Sequence, residues 1–358
     1  MSFISGSTEL TICKLSAKLP EDFLSKLAAH SIGKIEDVKT DPVLGWAGWR
    51  HFQAPVDEAE AICGGHLHIQ LVKTERKIPG TALKDACKRA EIAWMQVNGR
   101  EHCPSKERKS IRAELSERLL AKYPPTVTSI PIAVDRTYPI GLLYAGTASP
   151  KQLDNVIALF HKSLGVEPVP FTPAFLMQFA QDAKEIPSLR IAGAEDDLTP
   201  GRDFLTWLWY FAETEGAKLP VSGCGVFEAM IEGPLTFAAS EAKGALLTVV
   251  KKGGCPQASA EAKAALESGK KLKKAKLTIV REKRIWSGIF DADTFSFSGF
   301  NLPEGEAMEI NSRFDDTLLD LDTIAHALAG YFHRFVEDLR KPETVGLIRK
   351  WAQDRESY

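Results

Sequence analysis

The sequence predicts an α+β protein with mixed or antiparallel sheets and a protruding helical hairpin. Three observations lead there. Strand-like and helix-like segments occur in mixed blocks rather than in strict alternation, residues 79 to 123 carry helical periodicity, and residues 219 onward turn to short strands of period two. A length of 358 residues, 44% apolar and 26% charged, suffices for a core shared by two or three domains and excludes a disordered tail. No apolar run approaches the roughly 18 residues of a membrane span. The opening MSFISGSTELTICKL lacks the basic, apolar and cleavage regions of a secretory signal, so a cytoplasmic location is expected.

Residues 1–78 read as an N-terminal α/β part. An apolar-alternating start is followed by a helix near Pro20 to Ala29 and a Gly- and Trp-rich turn, LGWAGW, at 44–49. The run GGHLHIQLV then predicts a strand, with His66, His68 and Gln70 on one face and Leu67, Ile69 and Leu71 on the other. Cys63, His66 and His68 have the residue types of a metal half-site, but four ligands drawn from two clusters are the rule for zinc and the second cluster is missing. The six cysteines are scattered with no CxxC pair, which suits reduced, structural thiols.

Residues 79–125 are expected to form a basic helical hairpin, the tip. Thr81 caps a helix carrying Leu83, Ala86, Ala90, Ile92 and Trp94, NGREHCP breaks it, and Ser105 caps a second helix through Ile111, Leu115, Leu119 and Leu120. Pro124 and Pro125 stop that helix. Lys84 and Lys88 stand four apart, as do Arg108 and Arg112, giving each helix a short basic row.

Residues 126–218 form a central α/β part. Strands are expected at 128–135 and 140–146. Ser149-Pro150 opens a helix ending near Gly165, and Thr199-Pro200 opens another containing FLTWLWYFAE. Five aromatics within eight residues of that helix suit a core better than a base-stacking surface.

Residues 219–358 form a β-rich part with a basic loop and a terminal helix. The strands are CGVFEAMIEG, PLTFAA and ALLTVVKKGG, then a short helix from Ser259 to Ser268, then KAKLTIVR, IWSGIF and TFSFSGF. A long amphipathic helix bearing Leu321, Ile324, Leu328, Phe332, Phe335 and Leu339 ends the chain.

Charge is the informative part of the composition. Residues 73–122 hold 13 basic and 7 acidic side chains and residues 243–284 hold 12 and 3, so a total of −2 conceals segments of +6 and +9 in a remainder of −17. Such asymmetry points to a polyanionic partner. Lys270, Lys271, Lys273 and Lys274 fall in the expected loop, Lys276 at the start of the following strand, and Lys251 and Lys252 at the end of the strand before the short helix. Lysine-rich, aromatic-poor surfaces suit phosphate contact without sequence choice, and no recognition helix, zinc finger or RNA-binding sheet motif is present. Gly269-Lys270-Lys271 lacks the earlier glycine of a phosphate-binding loop, and no GxSxG elbow occurs. Glu75-Arg76-Lys77, Glu241-Ala242-Lys243 and Glu261-Ala262-Lys263 have the acid-x-lysine spacing of some metal-dependent nucleases, with Asp135 or the Asp291/Asp293 pair as conceivable partners. Asp291-Ala292-Asp293 reads better as a turn between strands.

The ordered run LVKTERKIPGTALKDACKRAEIAW, KERKSIRAELSERLLAKYPP, IPIAVDR and ALFHKSLGVEPVPF resembles the RdgC recombination-associated proteins of bacteria, and FLTWLW and VVKKGG…ESGKKLKKAKLTI follow in the same order. The resemblance covers most of residues 40–340. It implies a subunit that closes with a second copy into a ring-shaped homodimer, a positively lined hole for double-stranded DNA, and a role in limiting access of the RecA recombinase. It also implies a cytoplasmic, nucleoid-associated protein without a cofactor. The family's contacting lysine maps to Lys252, with Lys251 beside it, and Gly253 stands where the family has a polar amide. The aromatic that hooks the other subunit falls at Pro124, next to Tyr123. The expected function is therefore non-enzymatic, sequence-tolerant DNA binding, with single-stranded DNA as the alternative ligand. The DNA contacts are Lys251, Lys252, Lys270, Lys271, Lys273, Lys274, Lys276, Lys84, Lys88, Arg108 and Arg112, and the dimer contacts are Tyr123 and Pro124. The rival functions are a metal-dependent nuclease and a protein-binding recombination modulator that touches no DNA.

Overall fold

The computed structural model describes residues 3, 6–38, 41–137, 140–179, 188–189, 199–239, 247–250, 260–303, 305 and 309–353. In chain order the elements are β1 (Thr8–Leu15), α1 (Phe23–Ala28), β2 (Val43–Gly48), α2 (Glu58–Ala61), β3 (Ile62–Cys63), β4 (His66–Arg76), α3 (Gly80–Asn98), α4 (Ser105–Leu120) and β5 (Pro125–Val134). Then follow β6 (Leu142–Ala145), α5 (Pro150–Leu164), β7 (Pro168–Pro170), α6 (Pro173–Phe179), α7 (Pro200–Glu215), β8 (Lys218–Val221), β9 (Gly225–Ala238) and β10 (Leu247–Val250). The chain continues with α8 (Ala260–Glu267), β11 (Lys271–Arg281), β12 (Arg284–Asp291), β13 (Ser296–Asn301), α9 (Ile310–Leu339) and α10 (Pro342–Gln353). The architecture is α+β, and the registered strand pairs are antiparallel. No helix among the described residues is long and apolar enough to cross a membrane.

Contacts divide the chain into a larger unit (Met1–Glu21, Ile62–His68, Pro131–Tyr358) and a smaller one (Asp22–Ala61, Ile69–Ile130). In the larger unit the strand order is β10-β9-β11-β12-β13-β1-β6-β5, with β8 on β9 and β7 on β1. Its core is built around α7, where Phe204, Trp207, Trp209 and Phe211 are all buried. Phe204 alone makes ring contacts with Phe290, Phe295, Phe332 and Phe335. Each such ring stabilises the fold by about 1.5–3 kcal/mol through burial, so the aromatic helix is core and not a base-stacking surface. Gly201 is required at its first turn, because a Cβ there would overlap the carbonyl of Ala292. Tyr331 on α9 donates to the Ala217 carbonyl at 2.7 Å and anchors that helix to the end of α7.

In the smaller unit β2 pairs with β4, from Val43 opposite Thr74 to Gly48 opposite Ile69. Here LGWAGW is strand rather than turn. Its glycines serve close approach: a Cβ on Gly45 would overlap the backbone of Ile32, and Ser31 forms a parallel bridge with Trp46. A small apolar cluster of Ile32, Ala47 and Val72 closes beneath it. Helices α3 and α4 contact one another, and their buried residues are Leu115 on α4 and Cys103 in the turn that joins them. Thr81 and Ser105 lie inside the first turns, after Pro79 and Pro104, instead of capping them.

Three further boundaries differ from the sequence reading. The runs CGVFEAMIEG and PLTFAA form a single strand, β9, which passes through Pro234 where its register with β11 shifts between Lys274 and Lys276. A bulge of this kind tolerates the missing proline N–H. The expected basic loop is largely strand, since β11 begins at Lys271. The terminal helix is two helices, α9 and α10.

Candidate nucleic-acid interface

The strand β11 carries most of the lysine cluster at 270–276, and its register decides what each lysine meets. Lys274 stands opposite Asp291 on β12, and Lys276 opposite Glu232 on β9. Both cross-strand pairs close: Lys274 Nζ lies 2.8 Å from Asp291 Oδ2 and Lys276 Nζ 2.7 Å from Glu232 Oε2. Lys273 reaches Asp293 Oδ2 at 2.8 Å, and Arg202 holds the same carboxylate with Nε at 2.7 Å and Nη2 at 2.9 Å. The carboxylates register this company. Hydrogen bonding from Lys276 holds Glu232 below the usual carboxylate range. At Asp293 burial pushes upward, and the Arg202 and Lys273 contacts outweigh it and lower the proton affinity. Lys270 is half-buried and donates to Thr248 Oγ1 at 2.7 Å.

Lys271 departs from the sequence reading. It is 4% exposed, and its ammonium lies 2.7 Å from Asp203 Oδ1 and 3.2 Å from Thr199 Oγ1. A side chain turned into the core cannot touch a phosphate, so Lys271 is a structural cation and leaves the contact set. Lys251 and Lys252, with Gly253, lie outside the described residues. Thus β11 presents lysines whose charge is already met by acids of the same chain, on a face that also exposes Met230, Ile285 and Ile289.

The helix pair differs. Lys84, Lys88, Arg108 and Arg112 are all exposed, as are Arg89, Lys106, Lys109, Arg118 and Lys122, which the sequence reading did not single out. Among the described residues the ion pair on these helices is Arg89 with Asp85, at 2.8 Å. Arg108 spends its Nε on the Cys103 carbonyl at 3.0 Å and keeps its remaining donors. The signal available in the sequence was simple: ten cations within 84–122 whose i±4 neighbours are seldom acidic.

Tyr123 is half-buried and Pro124 exposed. Arg76 fixes this corner, donating to the Tyr123 carbonyl at 2.5 Å through Nη1 and to the Val38 carbonyl at 2.6 Å through Nε. Pro124 faces solvent.

The residues weighed for enzymatic chemistry are engaged elsewhere. Glu75 is ion-paired with both Lys77 and Lys73, and hydrogen bonds from these lysines, Lys77 first, lower its proton affinity. Lys263 is buried against Trp351 and Trp209, and residues 241–243 are outside the described set. Asp291 and Asp293 flank the β12–β13 turn as expected and neutralise lysines. Cys63 Sγ donates to Asn311, His66 Nδ1 lies 3.0 Å from Asp135 Oδ1, and His68 stacks on Phe314 with centroids 4.2 Å apart. Among the described residues no cluster of three or more His, Cys, Asp or Glu side chains is arranged to hold a metal ion. Cys13 is wholly buried, and burial pushes its thiol up to about 12, which makes it unreactive.

In comparisons with known proteins, no family model matches the chain. No curated protein sequence matches it either.

Proposed function

We propose that this chain is a sequence-tolerant DNA-binding protein of the RdgC type, acting in recombination. It encircles double-stranded DNA as a homodimer and limits access of the RecA recombinase. The observation that carries the DNA reading is the contrast between the two basic segments. On α3 and α4, Lys84, Lys88, Arg108 and Arg112 are solvent-facing cations with no ion-pair partner among the described residues, whereas Lys273, Lys274 and Lys276 are each paired with an acid. Free cations on a helix pair neutralise phosphates and release counterions at little cost, and they carry no base-reading chemistry. The helix pair therefore supplies the principal contacts. Lys270, Lys273, Lys274 and Lys276 act as secondary ones, and Tyr123 and Pro124 serve subunit closure. The ring, the dimer and the recombinase role rest on the family resemblance.

The test is fluorescence anisotropy on a random-sequence duplex across a salt series. Replacing Lys84, Lys88, Arg108 and Arg112 with Ala should reduce the magnitude of the log K against log salt slope by roughly 3.6, from about 0.9 per lost phosphate contact. An unchanged slope removes the helix pair from the interface, and absence of binding at low salt ends the DNA reading. Sedimentation of the free protein and of its complex reports the dimer. Inclusion of Mg²⁺ with end-labelled DNA reports cleavage, which would make the protein a nuclease instead.

A further inference from the structure

The larger unit contains a cavity of about 430 Å³ that none of the preceding chemistry uses. Its volume falls in the range of small-molecule sites, about 300–1,000 Å³. Its apolar wall is made by Phe171, Phe175 and Leu176, from α6 and the residues before it, with Phe332 of α9, Leu142 of β6 and Ile140. The polar groups are few: Lys14 on β1 and Asp322, His326 and His333 on α9.

These polar groups are not equivalent. Asp322 is occupied, with His326 Nδ1 at 3.4 Å from Oδ2 and the Tyr144 hydroxyl donating to Oδ1 at 3.5 Å. His333 faces Glu337, with Nδ1 at 3.6 Å from Oε1. Lys14 is different. Its Nζ donates to the Ile140 carbonyl at 3.0 Å and has no ion-pair partner among the described residues, which leaves it two further N–H donors. An ammonium held by a single neutral acceptor keeps donors for an incoming anion. Burial raises the proton affinity of Asp322 while His326 and Lys14 lower it, so Lys14 acts on this carboxylate through space without forming an ion pair with it.

We propose that this cavity binds a small amphipathic monocarboxylate, with the apolar body between Phe175 and Phe332 and the carboxylate on Lys14. The probe is decanoate, titrated calorimetrically into the full chain, with decanol and decylamine as matched comparators. Decanoate should bind at least tenfold more tightly than decanol, and Lys14→Met should erase that preference while leaving decanol binding unchanged. Ala329→Trp, which fills the cavity, should abolish binding of both. Should that variant fail to unfold cooperatively on heating, the Lys14→Met comparison still decides, because Lys14 is a polar lining residue and its replacement leaves the apolar wall intact. Equal affinity for decanoate and decanol, tighter binding of decylamine, or no heat from any probe each overturns the assignment.

Discussion

Lys271 Nζ and Asp203 Oδ1 lie 2.7 Å apart at a place where the two residues are 4% and 1% exposed, so among the described residues the most buried ion pair of the lysine-rich segment is internal. Removing one member of a buried pair strands the other charge, at a cost of about 3–5 kcal/mol. Lys271→Met should therefore lower the urea midpoint severely, and Lys271→Met with Asp203→Asn should recover most of the loss. At temperatures where the single variant remains folded, its DNA salt slope should equal that of the wild type. A reduced slope would return Lys271 to the contact set.

The surface lysines of β11 make a different prediction. A phosphate reaching Lys273, Lys274 or Lys276 must displace Asp293, Asp291 or Glu232, and the freed carboxylate gathers a cation as counterions leave the DNA. Replacing the three lysines with Ala should change the salt slope by clearly less than the roughly 2.7 of three unpaired contacts. Asp291→Asn and Glu232→Gln should tighten binding, since each removes a competitor for its lysine. Anisotropy on the same duplex measures both, and weaker binding by the neutralised variants would contradict this account.

His68 ties stability to pH. Burial pushes its proton affinity down to about 3, so the fold holds the imidazole neutral against Phe314. Below about pH 6.5 the unfolded chain takes up a proton that the fold refuses, so stability is complete above that value and falls with acidification by at most about 1.4 kcal/mol per pH unit. Replacing the ring with Phe should flatten the difference in urea midpoint between about pH 7.5 and about pH 5 relative to wild type. An identical pH dependence in both proteins would place the imidazole's titration elsewhere.

Lys263 holds α10 in place. Its Nζ lies 3.7 Å from the Trp351 ring centroid, donates to the Trp351 carbonyl at 3.1 Å and sits 5.4 Å from the Trp209 ring. Glu213 completes the arrangement by accepting from Trp209 Nε1 at 2.6 Å and Trp351 Nε1 at 2.8 Å. A desolvated cation–π contact contributes about 2 kcal/mol, so Lys263→Ala should destabilise by at least that amount. It should also shift tryptophan emission to the red and open the chain to proteolysis near Lys341. Unaltered emission would show that α10 docks without the lysine.

The sequence reading located the elements whose signals are local. Ser149-Pro150 and Gly165 bound α5, Pro200 opens α7, and the spacing of Leu321, Ile324, Leu328, Phe332 and Phe335 marks α9. It failed where partners distant in sequence decide. Gly45 and Gly48 resemble turn residues until Ile32 and Glu60 are seen against them, and a loop rich in lysine becomes strand because β9 and β12 flank it. The same holds for the site. Charge counts found both basic segments, but that Glu232, Asp291 and Asp293 would neutralise one and leave the other bare depends on strand register, which no local pattern encodes. Lys14 and the cavity beside it arise from residues more than three hundred positions apart and gave no local signal.

Helix α9 runs without interruption for 30 residues, about 45 Å at 1.5 Å per residue, from the Phe314 ring beneath His68 to Asp338, which accepts from Trp207. The wall residue Phe332 lies within that span. One uninterrupted backbone thus joins the cavity wall at Phe332 to the imidazole–phenyl stack at one extremity and the indole–carboxylate bond at the other.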